Sequence, residues 1–495
     1  MSNSKIRVRF APSPTGFLHI GSLRTALYNE LFAKHENGDF ILRIEDTDRS
    51  RAVEGGIENI CRSLHATGVI PNEGIWIDEK GTIIERGNFG PYLQSKRQAT
   101  HHAYADVLIR MKKAYPCFCT EERLQELRKK QQLEKRPTGY DGTCRDLDPA
   151  DAKKRISNGI PHVIRLRFPD QGSVTFHDVI RGKVAFDWKE IDDQVIIKSD
   201  GMPTYHLAAT CDDHDMKISH VLRGEEWLPS TPKHIFIYEA LGWELPVFVH
   251  LPLILNPDKS KLSKRQGDVA VDEYIQKGYV PDAIVNFVAL LGWNPKGDQE
   301  IYSHEELATL FDLEKINKAG AIFDTTKLNW MNNHYLRALP ENEYIKIVMP
   351  YLNAMDDDHA FLKRAVLLVR DRLETATQIK EATAFLFHAG FDFQDVPLAW
   401  KDQDPARVRE RLDALRLLIQ NMDEEDVTHM EIVERDIKNL IEQNGWGNGD
   451  TLWPLRVALS GMKKSPGPFE LVATYGKIRT LQRIDNALTS LASFF

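Results

Sequence analysis

The period of the hydrophobic positions changes several times along the chain, and each change marks an element. Arg7 to Phe10 alternates polar and apolar residues, the period of a short strand. Pro12, Pro14 and Gly16 break it into a loop. From near Gly21, the spacing of Thr25, Leu27, Leu31 and Phe32 predicts a helix with one buried face. Asp39 to Ile44 reads as a second strand, followed by the polar turn EDTDRSR. A second helix passes through Ile57, Ile60, Leu64 and His65. Strand, loop, helix, strand is the opening of an α/β unit with a parallel sheet.

Tyr92 to Lys113 has a helical pattern. A polar, charge-rich insertion runs from about Pro116 to Gly159, with one helix at Glu121 to Leu133. Arg165 to Asp187 alternates and turns like antiparallel strands. A smaller α+β domain therefore interrupts the parallel-sheet domain, which resumes around Asp193. A strand at Val195 to Ile197, the loop SDGMPTYH, a helix from Tyr205, a strand ending at Val221 to Arg223 and a helix at Pro232 to Leu241 follow. Pro246 to Leu255 leads into a lysine-rich loop. Beyond about Asp272 the pattern turns helical, as at Asp282 to Leu291, Glu305 to Leu310 and His359 to Leu373, and no strand of useful length follows Asn332. These changes divide the chain at 1–115, 116–192, 193–270, 271–331 and 332–495.

Bulk properties narrow the class. Apolar residues make up 42% of the 495 positions and charged residues 27%, as in a soluble globular protein. No apolar run approaches the ~18 residues of a membrane span. MSNSKIRVRF carries no secretory pattern, so a cytoplasmic location is expected. The five cysteines are an odd number, which argues against a disulfide scaffold; Cys117, Cys119 and Cys144 cluster as metal ligands do. A net charge of −8 does not advertise a nucleic-acid binder. A local basic face still exists: Arg456 to Arg483 holds six Lys or Arg residues against one acidic residue, Glu470.

Two short stretches carry the chemistry. RFAPSPTGFLHIGSLRTAL, Arg9 to Leu27, places Gly16, His19 and Gly21 where a strand gives way to a helix N-terminus, whose free N–H groups and dipole favour phosphate. KLSKR, Lys261 to Arg265, sets Lys261 and Lys264 about Ser263 on a tight loop, suited to the charge that develops on departing pyrophosphate. Each alone reads equally as a capped turn or a solvated loop; together they form a clamp for a nucleoside triphosphate.

The chain resembles the bacterial glutamyl-tRNA synthetases, a family of class I aminoacyl-tRNA synthetases. APSPTG (Ala11 to Gly16) is similar to the family's opening, HIGS (His19 to Ser22) to the HIGH motif and KLSKR to the KMSKS loop. RIEDTDRSR, SDGMPTYHLA, HVLRGEEWLPSTPKH and LWPLRVALSGMKKSPGPF extend the resemblance over almost the whole chain. Ser22 stands where the general motif has its second histidine, and Leu262 where KMSKS has methionine.

The resemblance implies a Rossmann-like parallel-sheet catalytic domain with an inserted α+β acceptor-stem domain, a stem-contact helical domain and an all-helical anticodon-binding region. It implies ATP-dependent activation of L-glutamate and its transfer to tRNA(Glu), with tRNA bound before activation is efficient and Mg2+ accompanying ATP. Charging of tRNA(Gln) as well, and a catalytically idle tRNA-binding regulator, are the alternatives. A monomer is expected.

It further implies that His19, Gly21, Lys261 and Lys264 serve ATP. Glutamate is expected among Arg9, Ala11, Ser13, Glu45, Tyr205 and Arg223. Arg9 is the candidate for bidentate pairing with the side-chain carboxylate. Ser13 would donate to the other carboxylate, Glu45 would accept from the ammonium, Arg223 would face a carboxylate and Tyr205 would close the pocket. Family members that carry a structural Zn2+ bind it through three Cys and a His. This chain has Asp146 at the fourth position, and Tyr140 is the alternative.

Overall fold

The computed structural model describes residues 5–262, 270–352 and 358–492. The chain forms two compact units, Met1–Ile275 with Pro281–Thr325, and Gln276–Val280 with Thr326–Phe495.

The first unit opens with β1 (Arg7–Phe10), α1 (Ile20–His35), β2 (Asp39–Leu42), α2 (Gly56–Ala66), β3 (Glu73–Ile77) and β4 (Ile83–Arg86). The strands pair in the order β1-β2-β3-β4, parallel except for the last pair. All four residues of β1 are buried, as a strand covered on both faces must be. Gly74 in β3 has φ 125°, and a Cβ there would sit 2.1 Å from the Leu42 carbonyl, so only glycine lets the two strands approach this closely.

Then come α3 (Gln98–Arg110), β5 (Ala114–Cys117), α4 (Glu121–Leu133), α5 (Pro149–Ser157), β6 (Val163–Leu166), β7 (Ser173–Asp178), β8 (Gly182–Asp187), β9 (Val195–Ile197), α6 (Tyr205–Asp215), β10 (His220–Gly224), α7 (Thr231–Leu241), β11 (Val247–Leu251) and β12 (Ile254–Leu255). A second sheet has the order β10-β11-β7-β8, with β10, β11 and β7 parallel and β7-β8 an antiparallel hairpin. The two sheets meet where the Ser219 N–H donates to the Arg7 carbonyl at 2.9 Å. Thus β3-β2-β1-β10-β11 is the core of a doubly wound sheet, and the cleft lies where the strand order reverses, at the ends of β1 and β10. β5, β6 and β9 form a separate antiparallel sheet. The unit closes with α8 (Val271–Gln276), α9 (Pro281–Ala289), α10 (His304–Leu310) and the short β13 (Ala321–Ile322), which pairs β12.

The second unit holds α11 (Thr325–Ala338), α12 (Glu341–Leu352), α13 (His359–Leu368), α14 (Ile379–Thr383), α15 (Pro405–Asn421), α16 (Met430–Gln443), α17 (Asn448–Ser460) and α18 (Pro468–Ala492). Among the described residues it contains no strand. α18 bends at Gly476, which has φ 70°.

Several elements differ from the sequence pattern. Tyr92 and Leu93 are extended, because Ile44 N–H donates to the Tyr92 carbonyl and Gln94 N–H to the Ile44 carbonyl; the helix proper starts at Gln98. His359 to Leu373 is helical only to Leu368, after which Arg370–Arg372 makes a single tighter turn. The insertion has a second helix, α5, which starts where the Asp148 carboxylate accepts from the Ala150 and Asp151 N–H groups with Pro149 at the first helical position.

Candidate active site

A cavity of about 680 Å³ opens at the ends of β1 and β10, within the range of roughly 300–1,000 Å³ usual for small-molecule sites. Arg9, Ala11, Ser13, His19, Gly21, Glu45, Tyr205, Arg223 and Lys261 all line it. Lys264 lies outside the described residues. Thr47, Asp48, Arg51, Lys198 and Trp227 also line it, and none of them was among the residues expected to touch substrate.

One end is a helix N-terminus. His19 precedes α1 and its Nδ1 accepts the Ser22 N–H at 3.2 Å, while Nε2 pairs with Ser22 Oγ at 2.9 Å. Ser22 therefore steadies the His19 ring. A Cβ on Gly21 would lie 3.1 Å from His19 Cε1, so glycine leaves that ring its place. Lys261 Nζ reaches Glu226 Oε1 at 3.4 Å.

The other end is built on two buried arginines. Arg9 is 4% exposed, and its Nε and Nη2 donate to the two oxygens of Asp213 at 2.9 and 3.2 Å. Arg43, one strand away, donates to Asp213 at 2.8 Å and to Glu45 at 2.9 Å. Burial pushes the Asp213 carboxyl up, but Arg9 and Arg43 outweigh it and leave it below the ordinary value. Burial dominates at Glu45 and raises it despite Arg43 and Arg9. Asp213 shares α6 with Asp212, which takes Arg97 at 2.6 Å and His101 at 2.8 Å.

Arg223 is 5% exposed at the end of β10. It donates to Tyr205 Oη at 3.1 Å, His234 Nδ1 at 3.2 Å, His250 Nε2 at 3.1 Å and Thr231 Oγ1 at 2.9 Å. No carboxylate touches it among the described residues. Burial, with Arg223 and His206 beside it, drives His234 well below the usual imidazole range, and burial with Lys233 and Arg223 takes His206 down to about 3. Both imidazoles are neutral at neutral pH. Asp213, Arg43, His234 and His250 were not among the residues expected from the sequence. Adjacent Asp212 and Asp213, following the apolar run Leu207–Ala209 and Cys211, were the available signal, since a buried acid requires a buried partner.

A second cluster sits in the insertion. The sulfurs of Cys117, Cys119 and Cys144 lie within 4.8 Å of one another, with Cys119 to Cys144 at 3.6 Å. A zinc ion about 2.3 Å from each sulfur would hold them roughly 3.8 Å apart. Tyr140 Oη lies 3.4 Å from Cys117 Sγ and 3.6 Å from Cys119 Sγ. Asp146 is not part of the cluster: it pairs with Arg167 at 2.6 Å and its side chain is 83% exposed. Tyr140 is folded back over the sulfurs, its hydroxyl accepting the Cys144 N–H at 2.9 Å. Burial raises the Cys117 thiol, but hydrogen bonds from Tyr140, the Cys119 N–H and Arg165 more than reverse this, whereas burial carries Cys119 up to about 11.

The fold and cavity are those of a class I aminoacyl-tRNA synthetase. The family described as tRNA synthetases class I (E and Q), catalytic domain, matches residues 5–330, and the anticodon binding domain family matches residues 343–488. Glutamate–tRNA ligase of Clostridioides difficile is 42% identical over 492 residues, covering 97% of this chain and 98% of that one. The enzyme of that name from Finegoldia magna is 43% identical, covering 98% and 99%. The crystal structure of a glutamate tRNA ligase from Elizabethkingia meningosepticum, in complex with its amino acid, aligns with a TM-score of 0.87 at 37% identity, over 99% of this chain and 100% of that one. The chain belongs to the glutamate–tRNA ligase family of class I synthetases.

Proposed function

We infer that the chain is a glutamate–tRNA ligase that joins L-glutamate to the 3′ end of tRNA(Glu) at the expense of ATP. The observation that carries this reading is one cavity lined at one end by a helix N-terminus with a histidine and a lysine, and at the other by two buried arginines, a tyrosine and a glutamate. An amino acid with two carboxylates and an ammonium fits the second end; MgATP fits the first.

In the first step the α-carboxylate of glutamate attacks the α-phosphorus of ATP and pyrophosphate leaves. In the second, the terminal ribose hydroxyl of tRNA attacks the mixed anhydride and AMP leaves. Neither step needs a protein nucleophile, so the chain supplies alignment and charge. His19 and the α1 N-terminus meet the phosphates, with Lys261 and Lys264 taking the charge of the departing pyrophosphate. Arg9 and Arg223 face the carboxylates, Ser13 donates to one of them and Glu45 takes the ammonium. Tyr205 and Ala11 wall the pocket. Glutamine would set an amide donor against arginine donors, a buried mismatch of about 1–3 kcal/mol per unsatisfied group.

Residues 116–192 would meet the acceptor stem, 271–331 the adjoining stem and 332–495 the anticodon. Cys117, Cys119, Cys144 and Tyr140 fit a structural Zn2+, which would tie β5 to the segment that leads into α5. Metal analysis beside Tyr140→Phe and Asp146→Ala tests this: the first variant should lose zinc and melt earlier, the second should not. Five free thiols suit the cytoplasm, where thiols stay reduced. No described helix is long and apolar enough to cross a membrane.

Charging purified tRNA(Glu) and tRNA(Gln) with labelled glutamate is the deciding experiment. Charging of tRNA(Glu) alone supports a discriminating enzyme, and charging of both a non-discriminating one. Failure to charge either, with ATP and tRNA supplied, overturns the reading.

A further inference from the structure

Arg223 would be free to rotate if its partners were free to reorient, and two of them are imidazoles with two possible tautomers each. What fixes the one against its Nε lies outside the cavity. Asp178 ends β7, fully buried, beside β11. Its Oδ1 accepts the Ile180 and Arg181 N–H groups at 3.0 and 2.8 Å. Its Oδ2 accepts both the His250 N–H at 3.1 Å and His250 Nδ1–H at 2.7 Å.

A carboxylate here can only accept, so the proton of neutral His250 must sit on Nδ1. Nε2 is then a lone pair, and Arg223 Nε–H donates into it at 3.1 Å. Thr231 closes the ring: Arg223 Nη2 donates to its Oγ1, and its hydroxyl lies 3.2 Å from the same His250 Nε2. The other tautomer would put N–H against N–H. Arg223 and Asp178 thus select the same tautomer from opposite sides of the ring, and Phe248 stacks near it without a polar group.

We propose that Asp178 and His250 are positioning residues for the amino-acid pocket: the buried Asp178–His250 pair presents a fixed acceptor to Arg223 and so aims its guanidinium at a carboxylate of the substrate. This rests on the reading of Arg223 as a glutamate-facing residue. The pair touches no substrate and acts only through Arg223. It also leaves the arginine with a neutral neighbour instead of a directly bonded carboxylate, so that its charge stays available to the ligand.

Asp178→Asn tests this. Asn keeps an oxygen for Ile180 and Arg181, but turns an amide donor toward His250 and so favours the opposite tautomer. The expected result is a KM for glutamate raised about 10-fold or more, as for a buried donor left facing a donor, with the KM for ATP within about twofold; Tm falls as well, because the same amide also faces the His250 backbone N–H. An unchanged glutamate KM overturns the proposal, as does a rise in both KM values together with a fall in Tm, which is plain damage to the fold. If Asp178→Asn does not fold, His250→Gln and His250→Leu replace it. Gln retains an oxygen that can accept from Arg223, so its glutamate KM should stay nearer native than that of Leu, and equal losses overturn the idea. A third readout needs no glutamate. The ¹⁵N spectrum of the native enzyme, with the His250 signals identified by their loss in His250→Gln, should show the Nδ1–H tautomer; the Nε2–H tautomer refutes the proposal. Should native enzyme fail to charge tRNA, the functional reading falls while this spectrum still judges the pair.

Discussion

Arg9 and Arg223 line one cavity from adjoining strands, equally buried, and are held in opposite ways. Arg9 forms a two-pronged pair with Asp213, inside a network where Arg43, Glu45, Asp212 and Arg97 balance one another. Arg223 is held by a hydroxyl of tyrosine, one of threonine and two imidazoles, all neutral. A buried cation without a counter-ion costs several kcal/mol, and an arriving carboxylate offsets that cost. Arg9 is therefore mainly a rigid wall of donors whose charge is already answered. On the proposed reading, Arg223 is the group that gains most when glutamate arrives. The sequence alone made Arg9 the leading partner for the side-chain carboxylate, because arginine type and position were visible and Asp213 was not.

Paired substitutions turn this contrast into measurements. Arg223→Met should lower kcat/KM for glutamate by about 1,000-fold or more, the loss of a charge-assisted pair in a dry pocket. Arg9→Met should cost activity as well, but with an additional signature in stability. It leaves Asp213 short of a partner and should destabilise the first unit by about 3 kcal/mol, read as a shifted denaturation midpoint. Arg223→Met leaves no carboxylate stranded and should cost only about 1 kcal/mol. Equal stability losses would erase the distinction.

Acid should separate the two arginines next. His234 and His206 are held neutral, with folded-state values below those of the unfolded chain, so between about pH 6.5 and the folded value the unfolded state binds more protons. Stability must then fall as pH falls below about 6.5, by at most about 1.4 kcal/mol per pH unit for each buried histidine. His234→Gln should flatten that slope in melts from pH 7 to 5. Arg9 is a lesser cause of the His234 depression than burial, Arg223 and His206, so Arg9→Met should weaken the slope less than His234→Gln does. The smallest effect belongs to Tyr205→Phe. It removes one acceptor from Arg223 and should raise the glutamate KM only a few-fold, worth about 1 kcal/mol.

Much of this was legible in the chain. The period of two in Arg7–Phe10, the loop with Pro12 and Pro14 and the helix after His19 gave the first α/β crossover, and the distant KLSKR stretch pointed to the same cleft. What stayed hidden was whatever depends on contacts distant in sequence. β3 and β5 carry few apolar residues in alternation, and their burial comes from neighbours. Asp178 looks like a turn residue until β7 is laid beside β11. On paper Asp146 stands at the fourth position with Tyr140 the alternative, and only the fold of the loop turns Tyr140 toward the sulfurs and Asp146 toward Arg167. Trp453 gives no sign in the sequence of its partners: it donates to the Pro397 carbonyl and has Arg456 over its ring.

The β7–β8 hairpin arrives from the stretch of chain that interrupts the catalytic sheet, yet it bonds to β11 and delivers Asp178 behind the pocket. That stretch is thus no detachable accessory. Grafting it from one synthetase to another would also replace a piece of the amino-acid site's scaffold, and chimaeras built at those boundaries should inherit their amino-acid affinity partly from the donor.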